Sequence, residues 1–109
     1  MRMNLPIAED LYHQLIHINM EAFINELFDV AYQSLSSALQ CARHIESDQP
    51  LQEIRKLAVE QLAWIDEFHP THPYSTMSSI EFHGMKSMYA ILADQVDLID
   101  QVRKIKTRR

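Results

Sequence analysis

Apolar residues recur in steps of three and four along most of this chain, which is the spacing of one face of an α-helix. The longest such run extends from Met20 to Ile45, with Leu27 and Leu35 among its members. Additional apolar residues beside this run make it wider than a coiled-coil stripe. The pattern therefore predicts a long helix over about residues 20–46 that packs against more than one neighbour.

A shorter apolar run, which includes Leu11 and Leu15, predicts a first helix over about residues 7–18. Its apolar face does not continue smoothly into the next run, and Asn19 between them is a residue type that favours helix N-caps. We therefore expect a break or a sharp bend at Asn19. One unbroken helix over residues 8–46 stays open as an alternative, because neither Gly nor Pro stands at this position.

Prolines indicate where the later segments between helices lie. Pro50 ends a polar segment, and Pro70 and Pro73 force extended backbone in a second one. Between these two connections, the apolar spacing predicts a helix over about residues 50–68.

The start of the last helix is indicated by Ser78, which is followed three residues later by Glu81 in the pattern of a capping box. Apolar spacing then predicts a helix over about residues 79–105. Gly84 lies inside this predicted helix, which indicates either a close approach by a neighbouring helix or a bend.

The composition excludes folds that need many tight turns. The 109 residues include one glycine and four prolines, too few turn formers for a β-sandwich or an α/β domain. We expect an all-α fold, in which three long helices and a short N-terminal helix form an antiparallel up-and-down bundle. The length fits a single domain over residues 1–109.

A single cysteine, Cys41, rules out a disulfide within the chain and gives no sign of an oxidising compartment. Charged and polar residues near the start leave no stretch that resembles a signal peptide or a membrane span. The expected location is the cytoplasm, and no membrane partner is expected.

Charge is distributed unevenly along the chain. Residues 1–102 carry all 15 acidic residues and five of the 10 basic ones, so residues 103–109 form a basic C-terminal tail. An acidic body repels phosphate backbones, which argues against nucleic-acid binding. The tail is better explained by the negative end of the helix dipole and by an Asp100–Lys104 pair one turn apart.

Histidines offer one candidate site. In an up, down and up arrangement most of them fall at one end of the bundle, and His13, His17 and Glu21 stack at intervals of four. A divalent-metal site there would draw on His13, His17, Glu21, His69, His72 and His83. The Glu-x-x-His pairs typical of bundle metal sites are absent, and the site requires the chain to fold back at Asn19. No other cofactor is expected.

Catalytic motifs do not stand out. The chain has no glycine-rich phosphate loop and no nucleophile elbow. Cys41 lies near the packed face, where a small buried side chain is expected. Asp66 and Glu67 are adjacent and so point to different faces. We expect a protein without catalytic activity.

Surplus apolar residues give the main functional indication. Of the residues, 47% are hydrophobic, and several large ones lie off the predicted core faces. These candidate interaction residues are Tyr12, Phe28, Tyr32, Trp64, Ile91 and Leu98. Such a surplus is commonly buried in a homodimer or against another protein, although a short extra helix within the chain would also cover it.

The predicted function is therefore a protein–protein interaction module, acting as an adaptor, regulator or assembly component and as a homo-oligomer. A metal-binding bundle is the first alternative. Nucleic-acid binding through residues 103–109 is the second.

Overall fold

The computed structural model describes residues 5–107 of the chain and contains no strand in this part. The prediction of an all-helical fold is therefore confirmed. The five helices are α1 (Leu5–Ile24), α2 (Phe28–Ala42), α3 (Gln49–Phe68), α4 (Thr76–His83) and α5 (Met88–Thr107). Over the described residues, none of these helices is both long and apolar enough to cross a membrane. The chain divides into two compact units, Met1–Ile54 and Arg55–Arg109.

In the first unit, α1 continues through Asn19, so the predicted break between helices over 7–18 and 20–46 is wrong. Asn19 is fully buried, and its Nδ2 donates a hydrogen bond of 2.6 Å to the carbonyl oxygen of Ala31 on α2. The side chain therefore joins two helices and does not cap either one. The unbroken alternative over 8–46 is also wrong, because α1 ends at Ile24.

The real break lies at residues 25–27, where Glu26 adopts a φ of 60°. Its backbone N–H donates to Phe23, and that of Leu27 donates to Ala22, both at 2.9 Å. This is the hydrogen-bond pattern of a Schellman motif, whose left-handed residue is usually glycine. Because glutamate occupies this position, the sequence does not indicate that a helix ends here.

α1 and α2 pack against each other in the first unit. Ala8, Ala31 and Leu35 are fully buried in this unit. The buried face of α2 comprises Phe28, Ala31, Ser34, Leu35, Ala38, Leu39, Cys41 and Ala42. A core of this kind is held together by the burial of apolar surface.

In the second unit, α3 ends at Phe68 and residues 69–75 form the loop that the two prolines predict. The helix that follows begins three residues earlier than predicted. Its N-cap is Ser75, whose Oγ accepts a hydrogen bond of 3.1 Å from the backbone N–H of Ser78. The predicted N-cap, Ser78, is therefore the donor in this contact.

Gly84 ends α4, so the predicted single helix over 79–105 is wrong and α5 begins only at Met88. Gly84 has a φ of 63°, a conformation that most L-residues avoid. A Cβ placed on it would meet no atom within 4 Å. The glycine therefore serves the backbone turn, and the interpretation that a neighbouring helix approaches closely is wrong.

The predicted basic tail belongs in large part to α5, which extends to Thr107. The predicted pair within it is confirmed, since Lys104 Nζ lies 3.0 Å from Asp100 Oδ2. Arg108 and Arg109 lie outside the described residues. A second ion pair joins α3 to α5 in this unit, with Arg55 Nε 2.8 Å from Asp97 Oδ1.

Candidate interaction surface

α4 is packed through hydroxyl groups instead of apolar side chains. Ser75, Ser78 and Ser79 are buried. The hydroxyls of Ser75 and Ser78 donate to the Pro70 carbonyl oxygen at 2.7 and 3.2 Å. The Ser79 hydroxyl donates to the Pro73 carbonyl oxygen at 3.1 Å. Because each buried hydroxyl has an acceptor, the loop can hold α4 without leaving a polar group unsatisfied.

Two further contacts fix the segments on either side of α4. The Asp66 carboxylate on α3 accepts hydrogen bonds from the backbone N–H of Thr76 at 2.8 Å and from its hydroxyl at 2.7 Å. After α4, the buried Ser87 hydroxyl donates to the carbonyl oxygen of Tyr74. Polar contacts therefore position both ends of this short helix.

The large apolar side chains of α4 are left in solvent. Phe82 is 73% exposed and Met77 is 69% exposed. Ile80, and Met85 in the turn that follows, are also more than half exposed. We call Met77, Ile80, Phe82 and Met85 the α4 apolar set. An ordinary surface helix has the opposite arrangement, with apolar side chains inside and hydroxyls outside.

α5 carries two apolar stripes. One is formed by Tyr89, Leu92 and Val96, which are fully buried in the structure. The other consists of residues that are exposed or half-buried: Met88, Ile91, Gln95, Leu98, Val102 and Ile105. We call this second stripe the α5 seam.

The α5 seam has the spacing of a coiled coil. Its members alternate in steps of three and four from Met88 to Ile105, which is a repeat of 3.5 residues over about five turns. Leu98 and Ile105 are 63% and 65% exposed. Gln95 is the single polar member. A regular stripe of this kind suits a second helix laid along it, because each apolar side chain can then fit between those of its neighbour.

An aromatic pair is also exposed on α3. The rings of Trp64 and Phe68 lie with centroids 4.2 Å apart, and both side chains face solvent. Trp64 was one of the predicted interaction residues, and so was Leu98. Both side chains are exposed. Tyr32 and Ile91 are half-buried.

Tyr12 and Phe28 belong to the core instead. Phe28 is buried, with its ring centroid 5.3 Å from that of Phe23. Tyr12 is buried, and its hydroxyl donates to Glu53 Oε1 and lies 3.3 Å from the Pro50 carbonyl oxygen. Neither side chain is available to a partner, since both are used for packing within the first unit.

Tyr12 also lines a cleft of about 470 Å³ in the first unit, together with Ile45. Glu9, His13 and Glu53 line the same cleft. Burial raises the pKa of the Tyr12 phenol above its ordinary value, and the hydrogen bond to the Glu53 carboxylate raises the pKa further. Tyr12 is therefore a neutral hydrogen-bond donor throughout the physiological pH range.

Half of the predicted metal ligands lie in the first unit and half in the second. His13, His17 and Glu21 are exposed on α1, where His17 Nε2 lies 3.3 Å from Glu21 Oε1. In the second unit, His72 Nδ1 accepts a hydrogen bond of 3.0 Å from the backbone N–H of Tyr74. His69 is half-buried and His83 is exposed. Within residues 5–107, no three His, Cys, Asp or Glu side chains lie close enough to hold a metal ion. The metal site stays a prediction.

Cys41 is buried, as the sequence predicts. Burial raises the pKa of its thiol, because the charged thiolate is disfavoured away from water. The thiol is therefore in its unreactive protonated form at neutral pH.

Comparison with protein-family models, with curated proteins and with solved structures finds no match for this chain.

Several of the exposed apolar residues were not predicted as interaction residues from the sequence. Met88 and Val102 fit the spacing of the predicted core face, because on α5 the buried stripe and the seam lie side by side. The α4 apolar set fits an ordinary helix start, with Met77 and Phe82 in the positions of a hydrophobic staple. A 3.5-residue repeat over residues 88–105 is the one signal that could have revealed the α5 seam.

Proposed function

We propose that this chain is a non-catalytic protein–protein interaction module that acts as a homo-oligomer. The observation that carries the proposal is the α5 seam. Fully burying a Val, Leu, Ile or Met side chain is worth about 1.5–3 kcal/mol. A stripe of five such residues that remains largely in water therefore leaves a substantial driving force for association.

The α4 apolar set and the aromatic pair on α3 support the same function. Both belong to the second unit, which also contains the α5 seam. Large exposed apolar and aromatic side chains are typical of binding surfaces, and methionines adapt their shape to a partner. The first unit, by contrast, uses its aromatic residues Tyr12 and Phe28 for its own core.

The proposal retains the finer expectations from the sequence. These are a single domain in which the helices run as an antiparallel up-and-down bundle, a homodimer as the functional form, and a location in the cytoplasm. They are parts of the proposal.

The chain offers a matched pair of variants to test it. Val102 lies in the α5 seam and is 45% exposed, whereas Val59 lies on α3 outside the seam and is 47% exposed. Val102→Glu and Val59→Glu therefore add the same charge in place of the same side chain. Light scattering after size-exclusion chromatography would give the mass of each variant at several concentrations, for comparison with the 12.8 kDa chain.

We expect the unsubstituted chain to have twice the chain mass. Val102→Glu should weaken the dimer at least tenfold, or about 1.4 kcal/mol, because a charge in the seam loses its hydration without gaining a partner. Val59→Glu should leave the dimer unchanged. A chain that stays monomeric at every concentration would refute the homo-oligomer, and equal weakening by both variants would refute the role of the seam.

A further inference from the structure

Building on the proposed self-association, we infer that two copies of this chain pair through α5 in antiparallel orientation, centred on residue 100. Leu98 of each copy then packs against Val102 of the other. The inference is based on the spacing of the α5 seam and on the distribution of charge along the same helix.

The spacing of the seam matches itself when one helix is reversed. In an antiparallel pair, a residue that precedes the centre on one helix faces the residue that follows the centre by the same number of positions on the other helix. With the centre at residue 100, Leu98 faces Val102 and Gln95 faces Ile105. Each contact occurs twice, as it must in a two-fold symmetric dimer. The four seam residues Gln95, Leu98, Val102 and Ile105 are then covered by the same four residues of the second copy.

Charge favours this orientation over the parallel one. The acidic residues Asp94, Asp97 and Asp100 precede the basic residues Arg103, Lys104 and Lys106 along α5. A parallel pair would place the acidic residues of one copy beside those of the other, and the basic residues of one copy beside those of the other. An antiparallel pair places Asp94 level with Lys106 of the other copy, and Asp97 level with Arg103.

The charges are close enough for this difference to matter. Packed helices lie about 8–10 Å apart, which is comparable with the screening length of about 8 Å at physiological ionic strength. Asp94 lies one turn before Leu98 and Lys106 lies one turn after Val102, so the two residues flank opposite sides of the seam.

The charges within each chain are compatible with this pairing. Asp100, at the centre, is paired within its own helix with Lys104 at 3.0 Å and is largely buried. It therefore does not bring two unpaired like charges together. Asp94 contacts Lys86 at 3.0 Å and Asp97 contacts Arg55 at 2.8 Å, so each carboxylate has a basic partner within its own chain.

Disulfide trapping distinguishes the orientations. Gln95→Cys and Ile105→Cys replace exposed residues, so neither variant should disturb the fold. In the antiparallel pair, positions 95 and 105 face each other. Two copies of position 105 are ten residues apart along the axis, or about 15 Å, which is beyond the reach of a disulfide. In a parallel pair, the two copies of position 105 are adjacent.

The experiment mixes the two variants in a glutathione redox buffer and identifies the products by mass spectrometry. The mixed Gln95→Cys and Ile105→Cys dimer is expected as the main product, with little disulfide in either variant alone. The unsubstituted chain is the control, because its single cysteine is buried. A strong homodimer of Ile105→Cys would overturn the antiparallel orientation.

A charge reversal tests the same inference without cysteines. Lys106→Glu and Lys56→Glu change the net charge equally, but only Lys106 flanks the seam. We expect Lys106→Glu to raise the dimer dissociation constant about five- to tenfold relative to Lys56→Glu. Equal effects of the two variants would overturn the charge argument.

Light scattering separates this inference from the proposal on which it depends. A dimer that forms no disulfide in the mixture would place the interface elsewhere, which refutes the inference and leaves the homo-oligomer intact. A chain that is monomeric at all concentrations would refute both.

Discussion

α2 and α4 bury opposite kinds of side chain. α2 buries Phe28, Leu35 and Leu39 against the rest of its unit, and most of its polar residues face solvent. α4 buries its serines and exposes Met77 and Phe82. The two helices therefore depend on different forces, the burial of apolar surface for α2 and directed hydrogen bonds for α4.

The difference shows how one chain can be stable and still present an apolar surface. A helix whose position is fixed by hydroxyls and by the Asp66 carboxylate does not need its apolar residues for packing. Those residues then remain available to a partner. In α2 the same types of residue are committed to the core, so they can only contribute to stability.

The largest expected effect comes from Phe28→Ala. The ring is buried at the start of α2, and its removal leaves a cavity that the surrounding side chains fill only in part. We expect the free energy of unfolding to fall by about 3–5 kcal/mol, a large fraction of the total for a domain of this size. Urea unfolding followed by circular dichroism measures the change. A loss below 1 kcal/mol would contradict the assignment of Phe28 to the core.

An intermediate effect is expected for Ser75→Ala. The substitution removes the N-cap of α4 and its hydrogen bond to Pro70, at a cost of about 1–2 kcal/mol. Amide hydrogen exchange in residues 76–83 should become about 5–30 times faster if α4 opens locally. Ser37→Ala, at an exposed position of α2, is the control and should change neither quantity.

The smallest effect is expected for Phe82→Ala. The same residue type is removed as in Phe28→Ala, but the Phe82 ring is 73% exposed. Its loss should change the free energy of unfolding by no more than about 0.5 kcal/mol. Denaturant midpoints of the two phenylalanine variants, compared side by side, give the result. Similar losses for both would mean that α4 is packed through its apolar side chains after all.

The sequence was sufficient for the fold class and for the two connections on either side of α3. The spacing of the apolar residues and the shortage of glycine predict helices correctly, because the first follows the helical repeat and the second limits the number of tight turns. The helix ends were harder. The break after Ile24 depends on Glu26 in a left-handed conformation, and a non-glycine residue in that state is held there by the hydrogen bonds around it. No pattern in the neighbouring sequence predicts such a turn.

The candidate surface was only partly predictable, for a related reason. Leu98 and Trp64 lie off the main apolar stripes, were predicted as interaction residues, and are exposed in the structure. Tyr12 was assigned in the same way, yet it is buried, because Glu53 and Pro50 provide partners for its hydroxyl across a long stretch of sequence. Such partners become known only when the chain is folded. The reversed burial in α4 is likewise set by carbonyl groups of the preceding loop.

The three-residue turn between α1 and α2 has a consequence for the speed of folding. Closing so short a connection costs little chain entropy, and the two helices it joins are neighbours in sequence. Contacts of this local kind form early in proteins that fold rapidly. We therefore expect the α1–α2 hairpin to assemble before the rest of the chain.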